Sequence, residues 1–393
     1  MCVVILLANN TKVKNFTCNG YTLQYKIKKI DGENRAIIVG FKDITKDFEK
    51  EGHLVIPSMV KNLKVHAINE LSFNESSNIK KLTIEEGMTH IGTGAFFGCY
   101  SLEEVNIPKS VIQIEGNAFN RCEKLKVVNF SEGLEVIGDC AFAYTGVEDV
   151  KLPDSLITIC FRAFAGSEMR SLHMGQNVNT VGVSAFSNCK NLENIVFSER
   201  LRTIKDRAFS GCEKLEEIWF PDSVTTLGFG SLAYCYELKT LRLGPNVKDI
   251  ISDYGCDEFA VECNNLKKII VSPANETLKV IDDILYDVDK KVLIKAPCCN
   301  KVDTIKIPSW VKVFSDYCFE GVSVNNLIIK SKDIDNITQC GIYDVKNIYC
   351  IPGSSVENAL LSEGLEVLPM RDEISKFLDD IEHKKKDEIN HTN

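Results

Sequence analysis

The sequence has few of the features that catalysis or metal binding requires. It contains no glycine-rich phosphate loop, no Gly-x-Ser-x-Gly element, no His-Glu-x-x-His element and no Cys-x-x-Cys pair. No cysteine has histidines nearby at the spacing that zinc ligands need. The six histidines are His53, His66, His90, His173, His383 and His391. We therefore expect neither an enzyme nor a bound metal or cofactor.

Long apolar runs and an excess of positive charge are also missing. The formal charge is -9, and lysines are interspersed with acidic residues, which excludes the basic surface of a nucleic-acid-binding protein. No stretch approaches the roughly 20 apolar residues that a transmembrane helix needs, so we expect no membrane insertion.

The two ends of the chain lack clear targeting signals. Residues 1–8 are apolar, but no Lys or Arg precedes them and no clear small-x-small cleavage site follows. We interpret them as a first strand that closes the fold rather than as a signal peptide, and expect a cytoplasmic protein from the sequence as written. A wrongly chosen start codon that hides a true signal is the alternative. The lysine run 384–386 lies in a polar tail, which favours a soluble terminus over membrane binding.

One dipeptide recurs at a nearly constant period. Ala-Phe occurs in steps of 22 or 23 residues, and Phe73 and Leu232 extend the series by one step at each end. The copies are Ala95-Phe96, Ala118-Phe119, Ala141-Phe142, Ala163-Phe164, Ala185-Phe186 and Ala208-Phe209. Three positions later comes a small residue: Cys99, Cys122, Thr145, Ser167, Cys189, Cys212 or Cys235. Because Thr and Ser share this position, we interpret the cysteines as small buried side chains rather than catalytic or redox groups.

Each period contains the same apolar pattern. A triad such as Leu102, Val105 and Ile107 comes first, and its last two members alternate with polar residues, as in a strand with one buried face. A turn follows, then a second apolar pair such as Val111 and Ile114, and then the Ala-Phe segment, spaced like one helical turn or a 3₁₀ segment. One such unit cannot bury its apolar side chains alone, so the units must stack into a solenoid with one continuous parallel strand ladder.

The pattern Leu-x-x-Val-x-Ile-Pro-x-x-Val-x-x-Ile-x-x-x-Ala-Phe-x-x-Cys, most complete in residues 102–122, resembles the BspA-like leucine-rich repeats, also known from a Treponema protein. The resemblance covers residues 54–330. It implies an α/β solenoid: a right-handed, curved leucine-rich-repeat stack with an N-terminal hairpin cap and a C-terminal cap. Members of this family are often cell-surface adhesins with a signal and a wall-anchoring segment. The resemblance therefore allows a cell-surface location, although no anchoring motif is visible here.

The same resemblance divides the chain. Residues 1–53 are predicted to form the N-terminal hairpin cap, with Asp31-Gly32 in the hairpin turn. Repeats occupy residues 54–272 and 305–347, separated by a hairpin-like interruption at 273–304. Residues 348–371 resemble the C-terminal cap of bacterial members, with Ser354 or Ser355 capping a short helix. Residues 372–393 are predicted to be a disordered tail.

A binding surface is predicted from the outward positions of the strand ladder. The residue between the last two triad members points outward and varies from turn to turn, while the apolar positions stay fixed within the chain. Along successive turns this column contains Lys151, His173, Val196, Trp219 and Arg242. Tryptophan and arginine are among the residue types most enriched at binding hot spots. The alternative is that Trp219 packs over its neighbours, whereas a protruding Trp219 would favour binding.

Two functions from different classes follow. The preferred one is a non-enzymatic, monomeric protein-interaction or adhesion scaffold whose ladder face binds a protein partner, such as a host or cell-surface protein. The alternative is a structural or antigenic surface protein with no specific ligand. An enzyme would need a charged pocket in the interruption, between Asp282 and Cys299.

Overall fold

The computed structural model describes residues 12–248, 250, 259–298 and 303–370. These residues form a parallel β-solenoid of about 13 turns. The predicted tail, the first apolar residues and Cys299 lie outside the described part of the chain. Three sides of the solenoid hold successive turns together, and we name them the long-strand ladder, the short-strand ladder and the turn column.

The long-strand ladder lies at the predicted triad positions. Its strands are His53–Ile56, Lys81–Ile84, Glu104–Asn106, Val127–Asn129, Asp149–Lys151, Ser171–His173, Asn194–Val196, Glu217–Trp219, Thr240–Leu243 and Lys268–Val271. Paired strands are parallel and share one register, so that Val105 lies between Leu82 and Val128. The predicted alternation of inward apolar and outward residues is therefore confirmed.

This ladder is interrupted twice, so the prediction of one continuous face was wrong. Within the described residues, no strand pairing joins Val127–Asn129 to Asp149–Lys151, and none joins Asn194–Val196 to Glu217–Trp219. We call these the first and second interruptions.

Each interruption follows a turn that contains two phenylalanines. Phe130 lies edge-on to Phe142 at a ring distance of 5.5 Å, and Phe197 lies edge-on to Phe209 at 5.8 Å. Both Phe130 and Phe197 are only half-buried. Four turns that keep the Ala-Phe ring have a smaller, buried side chain at this position: Ile84, Ile107, Leu152 and Met174. A second ring overfills the turn, and overpacking displaces side chains and backbone.

Phe220 supports this explanation because its turn has no second ring. The residue that corresponds to Phe209 in that turn is Leu232, and Phe220 is buried. The strand Glu217–Trp219 pairs normally with Thr240–Leu243. One phenylalanine per turn therefore fits, whereas two do not.

The second apolar pair of each repeat forms the short-strand ladder, which the sequence did not predict. Its strands are His90–Ile91, Gln113–Ile114, Val136–Ile137, Thr158–Ile159, Thr180–Val181, Thr203–Ile204 and Thr226–Leu227. They continue without interruption from Leu63–Ile68, whose first residues also pair with the short strand Met59–Val60. The inward residue of every strand is a fully buried Ile, Val or Leu.

The turn column contains the Ala-Phe segments, which are turns and not the expected helical or 3₁₀ pieces. Asn117 and Arg121, on either side of Ala118-Phe119, have left-handed backbones with φ of 57° and 60°. With this geometry the Phe119 amide donates to the carbonyl of Ala141 in the next turn at 2.8 Å. Successive amides alternate between bonds to the next turn and local bonds, such as that from the Asn120 amide to the Asn117 carbonyl at 3.1 Å.

Helix content is accordingly low, so the α/β part of the predicted fold class is not confirmed. Within the described residues the helices are Lys46–Glu51 and Ser355–Ser362, with a 3₁₀ segment at Ile337–Gln339. Each α-helix has a side-chain cap, from Thr45 and Ser354 respectively.

Buried rings and thiols fill the turn column. Seven rings stack nearly parallel with centroids 5.1–5.5 Å apart: Phe73, Phe96, Phe119, Phe142, Phe164, Phe186 and Phe209. The cysteines of the column are buried as predicted, and their thiols also donate hydrogen bonds. The Cys122 thiol donates to the Phe96 carbonyl of the preceding turn at 3.1 Å. Burial raises the pKa of Cys189 to about 11, which keeps this thiol protonated and unreactive at neutral pH.

The N-terminal part consists of three antiparallel strands, Lys14–Cys18, Tyr21–Ile30 and Glu33–Ile44. The predicted turn at Asp31-Gly32 is present, with both residues at positive φ. The third strand pairs in parallel with Leu63–Ile68, which connects this sheet directly to the short-strand ladder.

The interruption of the repeats is a three-stranded antiparallel sheet. The predicted pair corresponds to Ile284–Asp287 and Val292–Lys295, and Leu278–Ile281 is an additional strand. Val292–Lys295 also pairs in parallel with Val313–Phe314 of the following turn. The sheet thus lies between the two hydrophobic cores of the molecule and contributes side chains to both.

The last part contains four parallel strands: Thr304–Ile307, Ser323–Ile329, Asp344–Cys350 and Val367–Pro369. Helix Ser355–Ser362 lies between the last two strands in the chain, and its Val356 and Leu360 are buried. The Ser354 hydroxyl accepts a hydrogen bond from the Glu357 amide at 3.1 Å, so Ser354 and not Ser355 caps this helix.

Candidate functional site

The predicted binding column lies on the outer face of the long-strand ladder, and all five residues are exposed. Lys151, His173 and Val196 are neighbours on three paired strands, and Trp219 and Arg242 are neighbours on the next pair. The second interruption separates Val196 from Trp219. The five residues of the predicted column therefore form two separate groups.

Trp219 protrudes from the surface. Its side chain is 55% exposed, while its sequence neighbours Ile218 and Phe220 are buried in the core. The Arg242 guanidinium lies 5.3 Å from the centroid of the Trp219 ring. A cation over an indole face is an attractive arrangement that holds both side chains in place. Trp219 therefore protrudes, as the binding interpretation requires, and it also packs against one neighbour, Arg242.

A groove opens beside Trp219 at the second interruption. Its volume is about 630 Å³. The residues that line it are Glu193, Asn194, Ile195, Phe197, Lys214, Glu216, Glu217, Ile218, Trp219 and Glu237. We name it the acidic groove, since four glutamates and a single lysine surround it. The apolar floor includes the half-buried side chains of Ile195 and Phe197.

The edges of the acidic groove have unpaired backbone groups. In the closed part of the ladder, the Met174 amide donates to the Val196 carbonyl at 2.9 Å. The corresponding bond, from the Phe197 amide to the Trp219 carbonyl, is not formed in the described structure. The bond from the Glu216 amide to the Glu193 carbonyl is missing there too. The groove thus offers main-chain donors and acceptors next to apolar and acidic side chains.

The first interruption forms a second groove, of about 410 Å³. Its lining residues are Val128, Asn129, Phe130, Glu132, Lys151, Leu152, Pro153, Asp154 and His173. Lys151 and His173 of the predicted column therefore border this groove, whereas Val196 lines neither groove. Acidic and basic side chains are mixed around it.

Sequence reasoning missed both grooves and most of the residues that line them. It assigned Trp219 to the binding surface but did not assign Glu193, Phe197 or Glu217 beside it. A signal was present in the sequence, because only the repeats of Phe130 and Phe197 combine a third-triad phenylalanine with an Ala-Phe ring. This signal lies in the summed side-chain volume of one turn and not in the spacing of apolar residues.

The enzyme alternative requires a charged pocket between Asp282 and Cys299, a range that the structure describes up to residue 298. The cavity next to Asp282 has a volume of about 10 Å³ and is lined mainly by apolar side chains such as Ile284 and Val324. This is close to the minimum of roughly 10–15 Å³ that one water molecule requires. Across the described ranges, no group of His, Cys, Asp or Glu is arranged to hold a metal ion. No helix in those ranges is long and apolar enough to span a membrane.

The model of the BspA type leucine rich repeat region matches residues 53–170, 157–283 and 297–357. Similar solved structures include a leucine rich cell surface protein from Faecalibacterium prausnitzii A2-165, at 20% identity over 83% of this chain and 73% of that one, with a TM-score of 0.49. A leucine-rich repeat protein from Bacteroides ovatus is 17% identical over 91% of this chain and 100% of that one, with a TM-score of 0.46. The leucine rich repeat protein of T. pallidum is 22% identical over 55% of this chain and 87% of that one, with a TM-score of 0.41. No curated protein matches the chain.

Proposed function

Because the chain belongs to the BspA-type leucine-rich-repeat family, we propose that it is a non-enzymatic scaffold that binds a protein partner through its long-strand ladder. The solenoid presents this side as a row of outward side chains that the packing of the repeats does not dictate. Such an extended surface is the usual binding feature of stacked repeats.

The observation that carries the proposal is the exposed Trp219–Arg242 pair beside the acidic groove. Trp219 is 55% exposed, so it contributes little to the packing of the hydrophobic core. Arg242 lies over its ring and limits the motion of both side chains. Preordered aromatic and arginine side chains lose little conformational entropy when a partner covers them. The half-buried Phe197 and Ile195 add apolar surface at the same place.

The experiment is a comparison of partner capture by three forms of the full chain. Wild type is compared with the double variant Trp219→Ala, Arg242→Ala. The matched control is Phe161→Ala, Arg162→Ala, because Arg162 also lies over an exposed ring, at 5.7 Å, but outside the long-strand ladder. Equal folding of the three forms is verified by circular dichroism and thermal unfolding before capture.

We expect wild type and the control to retain a partner that the Trp219 and Arg242 variant loses, by at least about tenfold in affinity. Equal retention by all three forms would show that this pair is not the binding surface. If wild type captures no partner at all, the alternative of a structural or antigenic surface protein is favoured instead.

A further inference from the structure

We propose that the acidic groove binds an extended peptide segment that carries an arginine or lysine side chain. This inference rests on the proposed function, since it specifies the chemistry of the partner that the long-strand ladder binds. The charge around the groove, its apolar floor and its unpaired backbone groups support such an occupant.

The side chains that line the groove carry a net negative charge. Glu193, Glu216, Glu217 and Glu237 line it, and Lys214 is the one basic residue in the lining. Two further cations contact lining residues: Lys239 pairs with Glu216 at 2.8 Å, and Arg242 lies over the Trp219 ring. Glu193 and Glu217 are exposed on opposite sides of the interruption. Because opposite charges select partners and speed their encounter, this rim selects a cationic segment.

The floor suits the apolar part of a long basic side chain. Ile195 and Phe197 are half-buried, so their accessible surface faces the groove that they line. Lysine and arginine place their methylene stems on apolar surface while their charged ends stay near acidic groups or water.

The unpaired backbone groups suit an extended main chain. The Phe197 amide and the Trp219 carbonyl would bond to each other in a closed ladder, but this bond is not formed within the described residues. Extended peptides bind to free strand edges through main-chain hydrogen bonds, and side-chain pockets then decide which sequence binds. A segment lying along this edge can therefore gain affinity from its backbone and selectivity from its basic side chain.

The groove at the first interruption serves as an internal comparison. It too has an apolar floor, at Phe130, but Lys151 and His173 line it together with Glu132 and Asp154. Mixed charge gives no preference for a cationic segment. The inference is therefore restricted to the acidic groove.

The test follows the fluorescence of Trp219 in the full chain. The chain has two tryptophans, and the other, Trp310, is half-buried against Tyr286 at a ring distance of 5.2 Å. In a Trp310→Phe background, emission reports on Trp219 alone. The probes are capped five-residue peptides of alternating threonine and valine with a central arginine, glutamine or glutamate.

We expect the arginine peptide to shift Trp219 emission and to bind at least about tenfold more tightly than the glutamine peptide. Its affinity should fall as salt rises from 50 to 500 mM, values chosen to shorten the Debye length from about 14 to about 4 Å. Glu193→Lys should weaken binding at least about tenfold. Glu103→Lys is the matched control: it changes an exposed glutamate at the same repeat position where the ladder is closed, and should leave binding unchanged.

Other results would overturn the inference in distinguishable ways. Equal binding of the arginine and glutamine peptides would reject selection by charge, and no emission change with any peptide would reject the groove as a peptide site. Partner capture, measured separately, decides the proposed function in either case. If the arginine peptide binds only after residues 371–393 are deleted, the lysine-containing tail of the chain is the occupant, and a partner segment is not.

Discussion

The two ladders of the solenoid differ in continuity although the same repeats build both. The short-strand ladder has only two residues per strand, yet it runs unbroken from Leu63–Ile68 to Thr226–Leu227. The long-strand ladder has three or four residues per strand and opens twice over the same turns. Strand length therefore does not decide which side of this solenoid stays closed.

Side-chain volume explains the difference. The inward residue of the short-strand ladder is an Ile, Val or Leu in every turn, so successive turns keep the same spacing. The third triad position varies from isoleucine to phenylalanine, and its ring competes for space with the Ala-Phe ring of its own turn. A ladder therefore stays continuous where the buried side chains of each turn fit without overpacking. Single substitutions can therefore weaken a closed side of the solenoid or close an open one.

The largest effect is expected from removing a ring from the turn column. Phe119 is fully buried between Phe96 and Phe142, with centroid distances of 5.3 and 5.1 Å. Phe119→Ala leaves a cavity that both neighbours border, and should lower the free energy of unfolding in urea by about 3–5 kcal/mol. Phe161→Ala, which removes an exposed ring, should cost less than about 1 kcal/mol. Similar losses for the two variants would contradict a tightly packed column.

An intermediate effect on stability is expected when the pH is raised past the pKa of a free thiol, because one thiol of the turn column is buried. Burial raises the pKa of Cys189 from its usual 9.0 to about 11, so the unfolded chain loses this proton at a lower pH than the folded chain does. The stability that the thiol contributes is complete below pH 9 and is lost as the pH rises towards 11. The stability advantage of wild type over Cys189→Ala should shrink by about 2 kcal/mol between about pH 7.5 and pH 10.5. Urea unfolding at both pH values measures it, and a constant difference would show that this thiol does not titrate with folding.

The smallest effect is expected from closing the second interruption. Phe197→Leu removes the second ring from its turn, so the backbone can move inward and residue 197 can donate to the Trp219 carbonyl. One added hydrogen bond contributes about 1 kcal/mol, which should slow amide hydrogen exchange at residue 197 by about fivefold to tenfold. The control Phe220→Leu changes a turn that is already closed and should not slow exchange there. Unchanged exchange in Phe197→Leu would mean that something other than ring volume opens the ladder.

Much of the fold could be predicted, because positions that stay apolar in every repeat are the positions that are buried. The Ala-Phe series, the cysteine column and most triad residues lie in the interior at the expected positions, whereas Phe130 and Phe197 are only half-buried. The short strands could not be predicted, because a two-residue strand has no local pattern of its own and exists only through pairing with its neighbours. The left-handed residues of the turn column were missed for a similar reason. Asn117, Cys140, Arg162, Ser184 and Arg207 occupy one repeat position with φ of 52–57°, although they share no common residue type.

The candidate site, too, could be predicted only in part from the sequence. The outward direction of Trp219 and Arg242 followed from strand alternation, because successive side chains of a strand point to opposite faces. Their stacking follows from strand pairing, which places them side by side in adjacent turns. The acidic groove could not be predicted in this way, since its glutamates come from three successive repeats and meet only after those repeats stack.

The sequence by itself determined the period, the family, the inward apolar set and the outward variable column, because each of these depends on residue type and spacing along one chain. Only the tertiary structure decided where the long-strand ladder opens and which side chains surround the opening. The physical reason is that an opening depends on how two rings fit within one turn, and the charge around it depends on which residues of neighbouring turns converge there. Neither quantity is a property of any single repeat.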